Sequence, residues 1–203
     1  VVEGPIGVGK TTLATKLSET FNYNLLLEKS ENNPFLKNLY KNTEKFAFPA
    51  QLHFLITRSE EFNQKIFPEK FKKSTVSDYF FQKDKLFANA TLTPDELELY
   101  MKIYSTININ PPKPDLVIYL QTSLDVLIKR IKERGNDFEQ NISKDYLSKI
   151  IDTYTNFFHI YNDSPLLIIN TSNVNTHNQN DYSVLIDMIK QNIQGKKYFN
   201  PSK

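Results

Sequence analysis

Residues 4 to 11 have a spacing of glycine, lysine and threonine that can bind phosphate. The run Gly4-Pro5-Ile6-Gly7-Val8-Gly9-Lys10-Thr11 satisfies the pattern G-x-x-x-x-G-K-[ST] at every fixed position. Glycines let backbone N–H groups turn around phosphate oxygens, Lys10 supplies a positive charge, and the Thr11 hydroxyl can bind Mg²⁺. By chance such a pattern would arise in a chain of this length on the order of 1% of the time, so it predicts nucleoside triphosphate binding by residues Gly4 to Thr12.

The residues on either side of this loop strengthen the prediction. Val1-Val2-Glu3 is typical of the end of a buried strand, and Thr12 to Leu17 carry apolar residues at helical spacing. Strand, loop and helix is the order in which a phosphate-binding loop occurs. A glycine-rich turn with an incidental lysine is the alternative, and the flanking elements argue against it.

The composition narrows the class of protein. A chain of 203 residues predicts a single domain over residues 1–203, and because it starts within the first predicted strand we expect its N-terminus to be truncated. Interspersed charges with a net of +2 argue against a nucleic-acid partner. The chain has no cysteine, no signal-like leader and no apolar run near the roughly 20 residues of a membrane helix, so we expect a cytoplasmic protein without a membrane partner.

The elements that must position the loop alternate along the chain. Short apolar runs predict five buried strands: Val1–Val2, Leu25–Leu27, Thr75–Ser77, Leu116–Leu120 and Leu166–Ile169. Helical spacing occurs at about 10–20, 34–41, 44–66, 94–107, 123–134, 143–160 and 181–194. Strands that alternate with helices predict an α/β fold with a five-stranded parallel sheet and helices on both faces.

Two carboxylates follow predicted strands. Glu28 comes just after the Leu25–Leu27 strand, and Asp78 comes directly after the Thr75–Ser77 strand. Because ligands of open parallel sheets bind outside the carboxyl ends of the strands, we expect both side chains to lie near the phosphate loop. For Glu28, a salt-bridging surface glutamate beside Lys29 is the alternative interpretation.

Further motifs follow in a specific order along nearly the whole chain. They are Glu3 to Thr11, Glu28, Glu31 to Leu36, Phe46 to Phe48, Gln51, Arg58, Ser77 to Tyr79, Lys83 to Ala88, Arg130, Arg134-Gly135, Glu139 and Asp145 to Leu147. In this order and spacing the chain resembles the deoxyribonucleoside kinases of the bacterial purine type, which are related to deoxycytidine kinase. The resemblance implies a P-loop kinase fold with an arginine-bearing lid at about 134–142, and a homodimer that pairs through helices near 44–66 and 94–107.

The reaction that the resemblance implies is transfer of the ATP γ-phosphoryl group to the 5′-hydroxyl of a deoxynucleoside, with Mg²⁺, in nucleotide salvage. Glu28 matches the carboxylate that accepts the hydroxyl proton. Asp78 matches an acid that binds Mg²⁺ together with Thr11, or that accepts the proton instead. Tyr79 stands where many members have arginine, and Arg58 is the nearest candidate to replace that cation.

The resemblance also implies a substrate site. Tyr40 and Glu139 match the pair that binds the sugar 3′-hydroxyl, and the Gln51 amide, which both donates and accepts, matches the group that contacts the base edge. Arg58 and Asp84 match residues that select the base, with a purine deoxynucleoside expected. Tyr40 and Gln51 could instead be ordinary core and surface residues. Five phenylalanines could form a base-stacking wall or simply the core: Phe46, Phe48, Phe54, Phe80 and Phe81.

Two arginines lie four residues apart on the helix predicted at 123–134. The spacing of Arg130 and Arg134 places both on one helix face, so we expect them to clamp the transferring phosphate together with Lys10. A solvated helix face is the alternative for this pair. Asn136 stands where relatives have a third arginine, which leaves the clamp incomplete.

Two other functions compete with this hypothesis. A thymidylate-type kinase shares the loop, the sheet and the lid, but Glu28, Gln51 and Glu139 favour a nucleoside acceptor over a monophosphate. A catalytically silent nucleotide-binding subunit is also compatible with the fold, because fold does not determine function. Such a subunit would be expected to lose Lys10, Glu28 or the lid arginines, and the chain has kept them.

Overall fold

The computed structural model describes residues 1–63, 73–107, 111–176 and 178–200. Its six described strands are β1 (Val2–Glu3), β2 (Asn24–Leu26), β3 (Thr75–Ser77), β4 (Val117–Gln121), β5 (Leu166–Asn170) and β6 (Lys196–Phe199). Every described strand pair is parallel. The α/β class is therefore confirmed, and each of the five predicted strands corresponds to a described strand within one residue at each end.

The predicted number and continuity of strands are wrong in two ways. The described strands form a four-stranded sheet in the order β1-β4-β5-β6 and a separate β2-β3 pair. β1 is only two residues long, because the chain leaves the strand at Gly4 to form the phosphate loop. The contact between β1 and the chain that follows β3 is made by a side chain, since the Glu3 carboxylate accepts a hydrogen bond from the Phe80 N–H. β6 was not predicted because its Lys-Lys-Tyr-Phe sequence lacks an apolar run.

The helices agree closely with the helical spacing, with one exception. They are α1 (Lys10–Phe21), α2 (Leu36–Lys41), α3 (Thr43–Asn63), α4 (Lys83–Thr91), α5 (Pro94–Thr106), α6 (Leu124–Arg134), α7 (Lys144–Ile160) and α8 (Gln179–Lys190). The predicted helix end at 64–66 lies outside the described residues. α4 was not predicted, because its nine residues include charged side chains at buried positions.

Local signals explain several helix ends. Thr93 caps α5, since its hydroxyl accepts from the Glu96 N–H and the Glu96 carboxylate accepts from the Thr93 N–H. Ser143 caps α7 through the Tyr146 N–H. α6 ends at Gly135, whose φ of 71° suits glycine, and the lid segment continues through a 3₁₀ turn at Glu139–Asn141.

Helices cover both faces of the sheet, as predicted. Val117 and Tyr119 of β4 pack into a core with Tyr154 and Phe158 of α7. Ile118, the strand residue between them, faces a second core that α1 and α8 complete. This alternation is the two-residue period of a strand buried on both faces.

Most of the five phenylalanines belong to the core. Phe80 and Phe81 are buried, and Phe46 and Phe48 are partly buried against the same cluster. Phe54 also lines the cavity described below. Within the described ranges, no helix has the length and apolar character needed to span a membrane.

Candidate active site

The phosphate loop lies between β1 and α1 and depends on its glycines. Gly4 has φ 151°, and a Cβ atom there would lie 2.4 Å from the Leu120 carbonyl oxygen. Lys10 Nζ donates to the carbonyls of Gly4 at 2.8 Å and Pro5 at 3.2 Å. Burial, followed by the charge of Lys83, lowers the pKa of Lys10 to about 8. An anion at the loop would favour the protonated lysine.

Asp78 connects this loop to Glu28. β2 and β3 pair in register with Leu26 opposite Ser77, so the residues that follow the two strands meet. Asp78 Oδ2 accepts from Thr11 Oγ1 at 2.5 Å, and Asp78 Oδ1 accepts from the Glu28 N–H at 2.7 Å. The structure thus brings Thr11, Glu28 and Asp78 together, as the strand ends predicted.

Two cations hold the Glu28 carboxylate. Its Oε1 forms an ion pair with Arg58, and its Oε2 lies 2.5 Å from Lys83 Nζ. Burial alone would raise the pKa of Glu28, but Lys83 and Arg58 lower it to about 2. Glu28 is therefore a carboxylate at neutral pH.

Arg58 also contacts the second acid of the predicted substrate site. Its guanidinium forms an ion pair with Asp84, which is 1% exposed, and lies 5.1 and 5.6 Å from the ring centroids of Phe54 and Tyr79. Gln51 is equally buried, and its Nε2 has no hydrogen-bond partner among the residues that the structure describes. An unpaired buried amide is costly, so Gln51 suits a ligand with a polar edge.

Tyr40 and the lid close the other side of the site. Tyr40 lies parallel to Phe138 at 6.2 Å and edge-on to Tyr146 at 6.0 Å between ring centroids. Burial, then Tyr146 and Glu139, raise the pKa of Tyr40, which keeps its hydroxyl protonated as a donor. The Glu139 carboxylate is 2.5 Å from Arg134 Nη2.

These side chains share one cavity of about 130 Å³. Its lining includes Ile6, Gly7, Lys10, Thr11, Glu28, Tyr40, Gln51, Phe54, Arg58, Asp78, Lys83, Asp84, Phe87, Arg134, Glu139 and Tyr146. The volume is below the roughly 300 Å³ at which ligand pockets begin, so side chains of the lining must move apart when a nucleoside binds. Gly4, Pro5, Val8, Gly9 and Thr12 of the predicted ATP site are absent from this lining.

A larger cavity of about 1120 Å³ lies elsewhere. Val1, Thr75 and Leu116 in its lining mark the amino ends of β1, β3 and β4. Ligands of parallel sheets bind at the carboxyl ends, where the phosphate loop lies. We therefore assign the active site to the smaller cavity.

The expected arginine clamp is not formed as a pair. Arg130 donates to the Val8 carbonyl at 3.2 Å, to Thr171 Oγ1 at 2.9 Å and to the Thr171 carbonyl at 2.8 Å. Arg134, four residues later, contacts Glu139 instead. Both arginines lie on α6 four residues apart, but long side chains from one helix can reach different partners. A joint action of the two arginines is thus not seen in this arrangement.

Lys83 is a charged residue of the cavity lining to which the sequence analysis gave no role. It was quoted only within a motif, and Arg58 was the expected replacement for the arginine absent at Tyr79. The signal lay in α4, where Lys83 directly precedes the buried Asp84. Two adjacent charged residues are buried on a short helix when partners across the fold neutralise them.

Comparison with known proteins identifies the family. A family model for deoxynucleoside kinases matches residues 1–194. The chain is 39% identical over 156 residues to deoxyguanosine kinase of Bacillus subtilis, covering 75% of this chain and 74% of that protein. It is 33% identical over 184 residues to deoxyadenosine kinase of Lactobacillus acidophilus, covering 84% of each.

Solved structures agree in fold. A structure of deoxyadenosine kinase from M. mycoides with bound dCTP has a TM-score of 0.76 at 22% identity, covering 94% of this chain and 98% of that one. Its identity is low enough that the likeness concerns the fold alone. Together with the family match, it confirms the resemblance stated above. The chain belongs to the deoxynucleoside kinase family, whose members are ATP-dependent phosphotransferases.

Proposed function

We propose that this chain transfers the γ-phosphoryl group of ATP to the 5′-hydroxyl of a purine deoxyribonucleoside, as a step of nucleotide salvage in the cytoplasm. The observation that carries the proposal is the position of Asp78, which contacts both Thr11 of the phosphate loop and the backbone of Glu28. One side chain thus joins the donor site to the carboxylate that would contact the acceptor.

Glu28 would orient the acceptor hydroxyl. A carboxylate with a pKa near 2 is a weak base, so it acts chiefly by accepting a hydrogen bond from the 5′-hydroxyl. That suffices for a loose phosphoryl-transfer transition state, in which positioning and charge neutralisation supply most of the catalysis. Proton transfer to Glu28 would then come late, when the hydroxyl oxygen bonds to phosphorus and becomes acidic.

Positive groups would neutralise the transferring phosphoryl group. Lys10 lies within the loop, and Arg134 lines the same cavity from the lid. If Arg134 moves to the phosphates it must leave Glu139, which frees that carboxylate for the sugar. Arg130 bridges the loop to Thr171 and would support the donor side of the site.

Thr11 and Asp78 fit a Mg²⁺ ion that arrives with ATP. Their oxygens lie 2.5 Å apart beside the loop, and hard oxygen ligands are what Mg²⁺ prefers. No group of three or more potential acidic, histidine or cysteine ligands occurs within the described ranges. Mg²⁺ needs no such group, because it usually takes one or two protein oxygens plus phosphate and water. When bound, it would neutralise phosphate charge.

The acceptor side suits a nucleoside. Tyr40 can donate to the 3′-hydroxyl and Glu139 can accept from it, while Gln51, Arg58 and Asp84 offer donors and acceptors to a base. The purine preference is supported by the relatives named deoxyguanosine kinase and deoxyadenosine kinase. Arg58 can donate to the purine N7 or O6 once it releases one of its two acids.

A homodimer is part of the proposal. Ile56 of α3 and Leu99 and Met101 of α5 are 44%, 50% and 36% exposed. Other apolar residues expected at that surface pack inside the chain, including Leu55, Leu97 and Ile103. The three exposed side chains lie on the two helices for which pairing is expected.

A panel of acceptors tests the proposed function. Purified protein is incubated with ATP labelled in the γ-phosphate, Mg²⁺ and each of the four deoxynucleosides, with dTMP as an additional acceptor and Lys10→Met as the control. We expect transfer to deoxyadenosine or deoxyguanosine with the highest kcat/KM. A higher value for thymidine than for both purines would refute the purine preference. Transfer to dTMP alone would indicate a monophosphate kinase, and no transfer would indicate a silent subunit.

A further inference from the structure

We infer that Lys83 is a positioning residue of the phosphoryl transfer, which holds Glu28 towards the acceptor and places a second ammonium group beside the phosphate loop. The inference rests on the proposed function. In this inference, Lys83 of α4 supplies the positive charge that is missing at position 79, where this chain has Tyr79.

Tyr79 contributes no cation. It is 4% exposed, and its hydroxyl is 3.4 Å from a Glu61 carboxylate oxygen. Its ring instead packs against Arg58. The positive charge near Glu28 must therefore come from other elements.

Arg58 serves two carboxylates at once. It contacts Glu28 with one nitrogen and the fully buried side chain of Asp84 with another. Its one positive charge is therefore shared between two carboxylates. A bound nucleobase would compete with them for hydrogen bonds from the same guanidinium. Lys83 contacts the other oxygen of Glu28 at 2.5 Å, so this ion pair survives when Arg58 turns to the base.

Lys83 is held in place by packing. Its side chain is 9% exposed, and Nζ lies 5.4 Å from the centroid of Phe87, one turn further along α4. A buried ammonium with few rotamers is suited to fixing the direction of a carboxylate. A hydroxyl oxygen that donates a hydrogen bond of about 2.7 Å to Glu28 Oε2 would lie within roughly 5 Å of Lys83 Nζ.

The position of Lys83 relative to the loop supports the same role. Both Lys83 and Lys10 line the cavity, so two ammonium groups face it, one from α4 and one from the phosphate loop. Two ammonium groups that repel each other across a small cavity favour an anion between them. The group that passes between the loop and Glu28 in the proposed reaction is the anionic γ-phosphoryl group.

Matched variants of α4 test the inference. Lys83→Met keeps an unbranched side chain against Phe87 and removes the charge, while Lys83→Arg keeps the charge. The control is Lys85→Met, since Lys85 lies on the same helix with its ammonium 4.5 Å from the Tyr104 ring and outside the cavity lining. We expect Lys83→Met to lower kcat by about 100-fold or more, with the KM of ATP and nucleoside changed less than about threefold. Lys83→Arg should recover at least about a tenth of the wild-type kcat, and Lys85→Met should stay within about twofold of wild type.

Thermal melting of every variant separates positioning from folding. A Lys83→Met protein that turns over at more than half the wild-type rate overturns the inference while leaving the proposed function intact. The inference is also overturned if Lys83→Arg loses as much kcat as Lys83→Met. It is overturned as well if the loss of kcat in Lys83→Met comes with a large fall in Tm, because each of these results shows a structural role. If Lys83→Met does not fold, Lys83→Gln is measured in the same way. A wild-type protein that phosphorylates no nucleoside refutes the proposed function and this inference together.

Discussion

At the residue scale, Glu28 is defined by its partners. A buried glutamate without charged partners would have a raised pKa, but ion pairs with Lys83 and Arg58 keep the Glu28 carboxylate ionised. The same pairs fix the direction of both carboxylate oxygens. In the proposed reaction, Glu28 would therefore accept a hydrogen bond from the substrate hydroxyl without first losing a proton.

Replacing Glu28 by glutamine should impair the catalytic step, in which Glu28 would orient the acceptor hydroxyl and take its proton, without impairing ATP binding. Glu28→Gln keeps the shape of the side chain but removes its charge, which leaves Lys83 without its ion-pair partner. We expect kcat to fall by about 10²–10⁴, because the 5′-hydroxyl proton then has no carboxylate to accept it late in the transfer, while the affinity for ATP changes little. Steady-state kinetics and ATP titration measure the two quantities. If Glu28→Gln is nearly as active as wild type and Asp78→Asn is inactive, the acceptor role belongs to Asp78.

Lys10 should take up a proton when ATP binds. Its pKa is lowered to about 8, so at pH 8.5 much of it is neutral in the free protein. The phosphates favour the charged form and raise that pKa, and binding therefore consumes protons above pH 8 and few below pH 7. Calorimetric titrations in buffers of different ionisation enthalpy count these protons.

The matched control for this measurement is Lys16→Met. Lys16 lies on the same helix, but its ammonium contacts Tyr182 and the Thr176 carbonyl. Lys16→Met should retain the proton uptake, and Lys10→Met should abolish it. Binding heats at pH 8.5 that do not depend on the buffer in the wild-type protein would contradict the assignment.

At the element scale, an ion pair joins the two ends of the turn that leads from α6 into the lid segment. Arg134 ends α6, and Glu139 begins the 3₁₀ turn that follows Gly135. The partner that Glu139 takes, Arg134 or a sugar hydroxyl, would decide whether Arg134 is free to contact phosphate. In the proposed reaction, this exchange of partners would couple substrate binding to lid closure.

Dideoxynucleosides should test this coupling. A substrate without a 3′-hydroxyl leaves both Tyr40 and Glu139 without that partner, a loss of about 1–3 kcal/mol. We expect 2′,3′-dideoxynucleosides to have a kcat/KM about 10-fold or more below their 2′-deoxy parents, and Glu139→Ala to remove most of that difference. The control is Glu133→Ala, because Glu133 is exposed on α6 and pairs loosely with Lys129 at 3.8 Å. Equal rates with both substrates in the wild type would refute the sugar clamp.

At the scale of the whole molecule, the exposed apolar side chains of α3 and α5 predict a dimer. We expect a sedimentation mass near twice the chain mass of 23.7 kDa at micromolar concentration. Leu99→Glu, which buries a charge if this surface is an interface, should shift the mass to that of one chain. Ile160→Glu is the control, since Ile160 is 75% exposed on α7. A wild-type mass of one chain, or equal effects of both variants, would contradict the prediction.

The core of the fold could be predicted because its signals are local. Buried parallel strands are continuous apolar runs, and helices carry a 3.6-residue period with recognisable caps. β6 and α4 escaped because tertiary contacts override their sequence patterns: β6 pairs with β5 despite two lysines, and α4 buries Lys83 and Asp84. The separation of the β2-β3 pair from the four-stranded sheet likewise has no signal in the apolar runs.

The sequence by itself determined most of the chemical groups that line the site. The phosphate loop is a contiguous motif that contains Thr11, the strand-end rule predicts Glu28 and Asp78 beside it, and the family resemblance implies Gln51 and Glu139; all five line the same cavity. Only the tertiary structure decided how their charges pair. Arg58, Lys83, Arg130 and Arg134 have side chains long enough to reach several partners, and the choice depends on which helices pack together. A spacing along the chain cannot specify that choice, because the partners lie up to about 120 residues away in sequence.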